Sequence, residues 1–137
     1  MDQNFTRSVL SWYDAGHRDL PWRRTKDAYR IWVSEIMLQQ TRAETVVSYY
    51  ERFLARYPDV RALADAPEEE LLKAWEGLGY YSRARLLQKA AQAIVSQYGG
   101  ELPADLQKLR ALPGVGDYTS GAIASIAFGI PAAAVDG

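Results

Sequence analysis

The sequence predicts an all-α protein. Apolar residues recur at spacings of three and four along most of the chain, and no segment has the two-residue alternation of a half-buried strand. Glycine and proline are concentrated between these periodic segments, where they separate helices. With 137 residues, of which 48% are hydrophobic, the chain is long enough to bury the core of one domain.

The first part of the chain contains three predicted helices. Residues 4–14 form the first, which ends at Gly16. Asp27 is expected to cap a helix over residues 28–39, because a carboxylate at the N-cap accepts hydrogen bonds from free N–H groups of the first turn. Thr41 is expected to cap the third helix, whose inner face is predicted to consist of Val46, Tyr50, Phe53, Leu54 and Tyr57.

Three more helices are predicted in the middle of the chain. Asp59 starts a short helix, and Asp65 caps the next, whose first turn contains a proline and several glutamates. Ser82 opens a long helix that the glycine pair at 99–100 ends. The inner face of this long helix is predicted to consist of Leu87, Ala91, Ile94 and Tyr98.

The segment LPGVGDYTSGA, residues 112–122, joins a short predicted helix over 105–110 to a last helix over 117–128. Gly114 and Gly116 are expected to adopt backbone angles that are closed to other residues. Consecutive N–H groups would then face outward at a helix N-terminus and bind an anion such as a DNA phosphate. A tight turn without a ligand also fits this pattern. The last helix can pack closely through its small residues, Gly121, Ala122, Ala124 and Ser125.

Composition limits the cofactors and partners. The net charge of −1 gives no support to nucleic-acid binding, although segregated charge would permit it. The chain has no cysteine and one histidine, His17, so we expect no metal within it. The N-terminus is too polar for a signal peptide, and no apolar run approaches the length of a membrane span. We therefore expect a soluble intracellular protein that does not bind membranes.

Four blocks of sequence together resemble one known family, the MutY-type adenine DNA glycosylases of the helix-hairpin-helix superfamily. They stand in the family's order and spacing from about residue 8 to the last residue. The resemblance implies a partial catalytic domain: residues 17–137 form a six-helix barrel with its hairpin at 112–116, and residues 1–16 form a helix of a missing second lobe. The blocks are LPWR, WVSEIMLQQT, WEGLGYYSRAR, and LPGVGDYTSGA with its tail GIPAAAVDG.

The resemblance also implies an activity in base excision repair. The expected reaction is hydrolysis of the N-glycosidic bond of adenine mispaired with 8-oxoguanine or guanine in double-stranded DNA. The family's [4Fe–4S] cluster needs four cysteines, which are absent here. The complete enzyme is expected to be a monomer and, if bacterial, to lie in the cytoplasm with the nucleoid. This chain alone is expected to be weakly active or inactive.

Two carboxylates are the candidate catalytic groups, because purine release needs one neutral acid and one charged carboxylate. Glu35 shares a helix face with Ile31, Trp32 and Leu38, where burial would raise its pKa. A surface glutamate at the edge of an amphipathic helix fits the same spacing. The resemblance implies that Glu35 protonates adenine at N7 and later activates water. It also implies that Asp136, which the local pattern alone would assign to a turn or cap, stabilises the oxocarbenium-like sugar through a covalent intermediate.

Tyr118 separates two branches of the superfamily. The branch that resembles endonuclease III carries a lysine at this place, and its amine forms a Schiff base with the sugar. A phenol cannot form a Schiff base, so the resemblance implies hydrolysis without lyase activity. Tyr118 is expected to hydrogen-bond one of the two carboxylates or the leaving base.

The remaining assignments concern DNA. A base inside a duplex must be flipped out before it can reach the carboxylates. By resemblance, Trp22 and Arg23 line the adenine pocket and Gln40 wedges into the base stack. From the residues alone, these segments are a basic loop with a buried tryptophan, a solvated helix end and a loop with core aromatics. The resemblance assigns contacts with the opposite base to Thr41, Leu78 and Tyr80.

Two alternative functions stay open. One is an endonuclease III-like glycosylase with a different target base, which a panel of mispairs would reveal. The other is a helix-hairpin-helix DNA-binding module without catalysis. The presence of both Glu35 and Asp136 argues against such a module, whereas the nearly neutral charge is compatible with it.

Overall fold

A computed structural model describes residues 20–39 and 41–131. The predicted first helix at 4–14, Gln40 and Asp136 lie outside these described residues. No helix in the described part is both long and apolar enough to cross a membrane.

Helices and short loops make up all of the described residues, and no strand occurs among them, so the all-α prediction is confirmed. A short 3-10 helix, Pro21–Arg24, comes first. The α-helices that follow are α1 (Ala28–Leu38), α2 (Ala43–Arg56), α3 (Val60–Ala64), α4 (Glu68–Trp75), α5 (Tyr81–Tyr98), α6 (Leu106–Arg110) and α7 (Asp117–Phe128).

Aspartates open three of these helices. The carboxylates of Asp27, Asp59 and Asp105 accept hydrogen bonds of 2.8, 2.9 and 2.9 Å from backbone N–H groups two or three residues further on. Each bond satisfies a donor that the first turn leaves free. The predicted cap at Asp27 and the predicted helix start at Asp59 are therefore confirmed.

Two other predicted caps are wrong. Thr41 does not cap α2, which begins two residues later at Ala43, and its hydroxyl instead lies 3.4 Å from a guanidinium nitrogen of Arg83. Asp65 has helical backbone angles and ends α3, while Pro67 is the residue that precedes α4. Pro67 has an extended backbone with ψ of 136°, so it lies before the first turn of α4 and not within it, as was predicted.

The start of α5 also differs from the prediction. The helix begins at Tyr81 rather than at Ser82, and Tyr80 before it has a left-handed backbone with φ of +52°. Tyr80 is the one non-glycine residue with positive φ in the described part of the chain. The predicted end of α5 is confirmed, because Gly99 adopts φ of +68° as its C-cap.

The core is built around α1, which packs against α2 on one side and α7 on another. Helix α5 packs against α3 and α4, and α6 packs against α7. Phe53 of α2 and Trp75 of α4 are fully buried in an edge-to-face contact with ring centroids 6.0 Å apart. The predicted inner faces of α2 and α5 are confirmed, since all of their residues are buried except Tyr98, which is half-buried.

The hairpin of α6 and α7 contains one left-handed glycine rather than the two predicted. Gly114 has φ of +75°, but Gly116 is extended, with φ of −95° and ψ of −170°, which other residues also adopt. The close packing predicted for α7 applies to its inner side. Gly121 and Ala124 are buried, Ala122 is half-buried and Ser125 is exposed.

Candidate active site

A cavity of about 680 Å³ lies beside α1, between the loop that carries the 3-10 helix and α7. This volume is within the usual range for small-molecule sites. Trp22, Arg23, Glu35 and Tyr118, which are far apart in sequence, all line it. The full lining is Leu20, Trp22, Arg23, Thr25, Ile31, Ser34, Glu35, Leu38, Gln39, Ala43, Tyr118 and Ile126.

Glu35 projects from α1 into this cavity and is half-buried. Burial raises the pKa of its carboxyl group, and the positive charge of Arg23 partly opposes that rise. The neutral acid is therefore favoured at a higher pH than for an exposed glutamate. A carboxyl group in this position can donate a proton to a molecule bound in the cavity.

The 3-10 helix supplies an aromatic and a cationic side chain to the cavity. Trp22 is buried and its ring meets that of Tyr50 edge to face, with centroids 5.3 Å apart. Arg23 is exposed, and its backbone N–H donates to the carbonyl of Leu20 over 2.9 Å. The cavity thus has an apolar ring held by the core and a positive charge at its solvent side.

Tyr118 lies in the first turn of α7 with 78% of its surface exposed, and it lines the same cavity as Glu35. The next residue, Thr119, is buried, and its hydroxyl lies 3.5 Å from the side-chain nitrogen of Gln39. This contact joins the end of α1 to the start of α7. The predicted hydrogen bond from Tyr118 to a carboxylate or to the base stays a prediction.

The residues predicted to contact the opposite base form a second group. Thr41 is half-buried after the end of α1, and Tyr80 is 59% exposed. Leu78 is only 5% exposed, so its side chain belongs to the core. Gly114 and Gly116 are exposed in the hairpin loop. The DNA contacts predicted for all of these residues stay predictions, as do those of Gln40.

Two residues near the predicted site were missed from the sequence: Ile126 and Arg83. Ile126 lines the cavity, and Arg83 joins the end of α1 to the loop before α5. Ile126 had a usable signal, because it follows Tyr118 by eight residues and so lies on the same side of α7. Arg83 stands in the block WEGLGYYSRAR, but its contacts could not be predicted, since its acceptors are mostly backbone carbonyls of distant residues.

A family model described as "HhH-GPD superfamily base excision DNA repair protein" matches residues 33–137 of the chain. The chain belongs to the HhH-GPD superfamily. This confirms the helix-hairpin-helix superfamily to which the sequence resemblance pointed.

Several curated relatives bear the name adenine DNA glycosylase. The chain is 50% identical to the human protein, with 97% of this chain and 26% of the relative aligned. It is 51% identical to the rat protein, with 97% of this chain and 28% of the relative aligned. It is 41% identical to the protein of Buchnera aphidicola subsp. Baizongia pistaciae, with 97% of this chain and 38% of the relative aligned. The chain thus spans about a quarter to two fifths of the length of these relatives.

Solved structures of HhH-GPD glycosylases share the fold. A thermostable thymine-DNA glycosylase aligns with a TM-score of 0.78 at 34% identity, over 93% of this chain and 59% of that one. A trapped endonuclease III–DNA covalent intermediate aligns with a TM-score of 0.73 at 25% identity, over 91% and 61%. The helical fold predicted from the sequence is therefore that of known DNA glycosylases.

The residues of this chain do not fit the [4Fe–4S] cluster that the resemblance implied. Such clusters are held by cysteine thiolates, and the chain has no cysteine. Within the described ranges, no three His, Cys, Asp or Glu side chains are grouped so that they could hold a metal ion.

Proposed function

We propose that the protein containing this chain is an adenine DNA glycosylase that acts on adenine mispaired with 8-oxoguanine or guanine in duplex DNA. The observation that carries the proposal is Glu35, a half-buried acid with a raised pKa in a cavity also lined by Trp22. The names of relatives at 41% to 51% identity support adenine as the target base. Duplex DNA is the proposed partner.

In this mechanism Glu35 acts as the general acid. Its proton passes to N7 of the flipped adenine, the bond from N9 to C1′ breaks, and the bonding electron pair leaves with the base. The sugar becomes a cation, and the carboxylate of Asp136 stabilises it by bonding to C1′. Water then displaces Asp136 from C1′ and gives a proton back to Glu35. Asp136 lies outside the described residues, so its part rests on the family resemblance alone.

Tyr118 supports hydrolysis rather than lyase chemistry. It lines the cavity at the start of α7, and its phenol cannot form the Schiff base that strand cleavage by β-elimination requires. We place Trp22 and Arg23 against the flipped adenine, because they line the same cavity as Glu35. The flipped base would then lie between the 3-10 helix and α7.

The test is single-turnover base release by the full-length protein on a panel of mispaired duplexes. We expect adenine to be released opposite 8-oxoguanine and guanine, and thymine opposite guanine to be retained. Faster release of thymine would favour the thymine-DNA glycosylase activity named for one structural neighbour. Binding without release of any base would favour a non-catalytic module. The 137-residue chain, measured in parallel, is expected to release adenine weakly or not at all.

A further inference from the structure

Arg83, on the first turns of α5, is bonded to two separate segments of the chain. One terminal nitrogen of its guanidinium lies 2.9 Å from the carbonyl of Ile36 and 3.4 Å from that of Met37, and it also contacts the carbonyl of Gln39. The other terminal nitrogen lies 3.4 Å from the hydroxyl of Thr41. One side chain thus holds the residues on both sides of Gln40.

The second segment is the loop before α5. The terminal nitrogen that contacts Thr41 also lies 3.2 Å from the carbonyl of Leu78 and 3.3 Å from that of Gly79. The guanidinium carbon lies 5.2 Å from the centroid of the Tyr80 ring and 5.6 Å from that of Trp75. Arg83 therefore fixes this loop through both hydrogen bonds and cation–π contacts.

The end of α1 needs a cation from elsewhere in the fold. The last carbonyls of a helix have no partners within it and carry the negative end of the helix dipole. The last turn of α1 contains no basic residue. Arg83 supplies the missing charge and donors, and no carboxylate among the described residues pairs with it. Its interactions are therefore directed at backbone rather than at an acidic side chain.

The loop before α5 has a conformation that requires support. Tyr80 has a left-handed backbone, which is costly for a bulky residue unless surrounding contacts hold it. The N–H of Arg83 donates to the carbonyl of Tyr80 over 2.9 Å, and the indole N–H of Trp75 donates to Gly79 over 3.1 Å. The side chain of Arg83 closes the same network from the α1 side.

We propose that Arg83 is a positioning residue that holds Gln39 and Thr41 in fixed register with the 78–80 loop and so sets discrimination of the base opposite adenine. The inference rests on the proposed function together with the resemblance, which assigns contacts with the opposite base to Thr41 and Tyr80. Only a planar fork of donors can bond both segments at once, and a lysine ammonium cannot reproduce this geometry. Arg83→Lys keeps the charge but removes the bridge.

Arg85 provides a matched control on the same helix. It is exposed and forms a 2.8 Å ion pair with Glu68, which is also exposed. Arg85→Lys removes an arginine fork two residues away without touching either segment. Any general effect of replacing arginine by lysine on α5 appears equally in this variant.

The experiment measures two quantities in the full-length protein. The first is affinity for duplexes with an abasic-site analogue opposite either 8-oxoguanine or cytosine. We expect Arg83→Lys to reduce the ratio of the two affinities at least tenfold, and Arg85→Lys to leave it unchanged. The second is amide hydrogen exchange in the free protein. Faster exchange is expected at 39–41 and 78–81 but not in α7.

An unchanged affinity ratio in Arg83→Lys overturns the inference, whether or not overall affinity falls. Equal acceleration of exchange throughout the protein also overturns it, because Arg83 would then only stabilise the fold. These readouts need no base release. Failure of the wild-type protein to release adenine would contradict the proposed function, while the affinity ratio would still test Arg83.

Discussion

Burial raises the pKa of Glu35, and the positive charge of Arg23, which lines the same cavity, opposes that rise. The two residues are 12 positions apart, one in the 3-10 helix and one in α1. Their relationship means that the protonation of the proposed acid depends on a residue that also faces the proposed base pocket. The balance between burial and the charge of Arg23 in setting the pKa of Glu35 can be tested by removing that charge.

Arg23→Gln is expected to extend adenine release to higher pH. Without the neighbouring charge, the pKa of Glu35 rises further, so the protonated acid persists at pH values where the wild-type group is already ionised. The alkaline limb of the plot of single-turnover rate against pH should therefore move to higher pH. Arg23→Lys keeps the charge and should leave the limb in place. An alkaline limb that moves to lower pH or stays in place in Arg23→Gln would contradict the effect of Arg23 on the pKa of Glu35.

Glu35→Gln is expected to lose catalysis and keep binding. The amide has nearly the same shape but no proton to transfer, so the single-turnover rate should fall about 10²- to 10⁴-fold while affinity for the mispaired duplex is unchanged. Glu69→Gln, an exposed change on α4, serves as the control. Base release at the wild-type rate by Glu35→Gln would refute the role of general acid.

Relative to wild type, Glu35→Gln should gain the most stability against unfolding at high pH. A carboxyl group whose pKa is raised in the folded state favours folding below its unfolded pKa, and this contribution is lost as the pH rises through the folded value. Glutamine does not ionise and avoids the loss. The difference in Tm between Glu35→Gln and wild type should therefore increase from pH 4 to pH 8. A difference that decreases with pH would mean that Glu35 is stabilised as the carboxylate.

Tyr118→Lys is expected to introduce covalent trapping. The wild-type protein should give no borohydride-trapped complex with substrate DNA, because a phenol forms no Schiff base. A lysine at the same exposed position would bring an amine to the cavity. Trapping is measured as a shifted band in a denaturing gel. Strong trapping by wild type would show that another amine attacks the sugar.

Gly114→Ala and Gly116→Ala are expected to differ, although the sequence motif treats the two glycines alike. A Cβ at position 114 would lie 2.9 Å from the Cβ of Leu86 and would stand on a left-handed backbone. The backbone term alone costs about 1–2 kcal/mol. At position 116 the backbone is extended and no atom lies within 4 Å of an added Cβ. Chemical unfolding should show a clear loss of stability for Gly114→Ala, whereas Gly116→Ala should leave the stability unchanged or raise it by up to about 1 kcal/mol. Equal losses would contradict the hairpin geometry.

Local features of the fold were predictable from the sequence, because they depend on residues a few positions apart. Asp27 caps α1, Gly99 ends α5, and α7 covers residues 117–128 as predicted. The predicted cap at Thr41 was wrong because another residue competes for its side chain. Thr41 was a reasonable N-cap on local grounds, but it follows the end of α1 and its hydroxyl faces Arg83.

By itself, the sequence determined the all-α class, the family, and which side chains were candidates for chemistry. Only the tertiary structure decided which candidates meet. Packing of α1 against α7 brings Glu35 and Tyr118 to one cavity. The tertiary structure also buries Leu78, which the resemblance had assigned to a base contact. The position of α5 beside the end of α1 makes Arg83 the link between the end of α1 and the loop before α5. The physical reason is that helix periodicity and capping are local, whereas burial, pKa and multi-segment hydrogen bonding depend on residues brought together from distant parts of the chain.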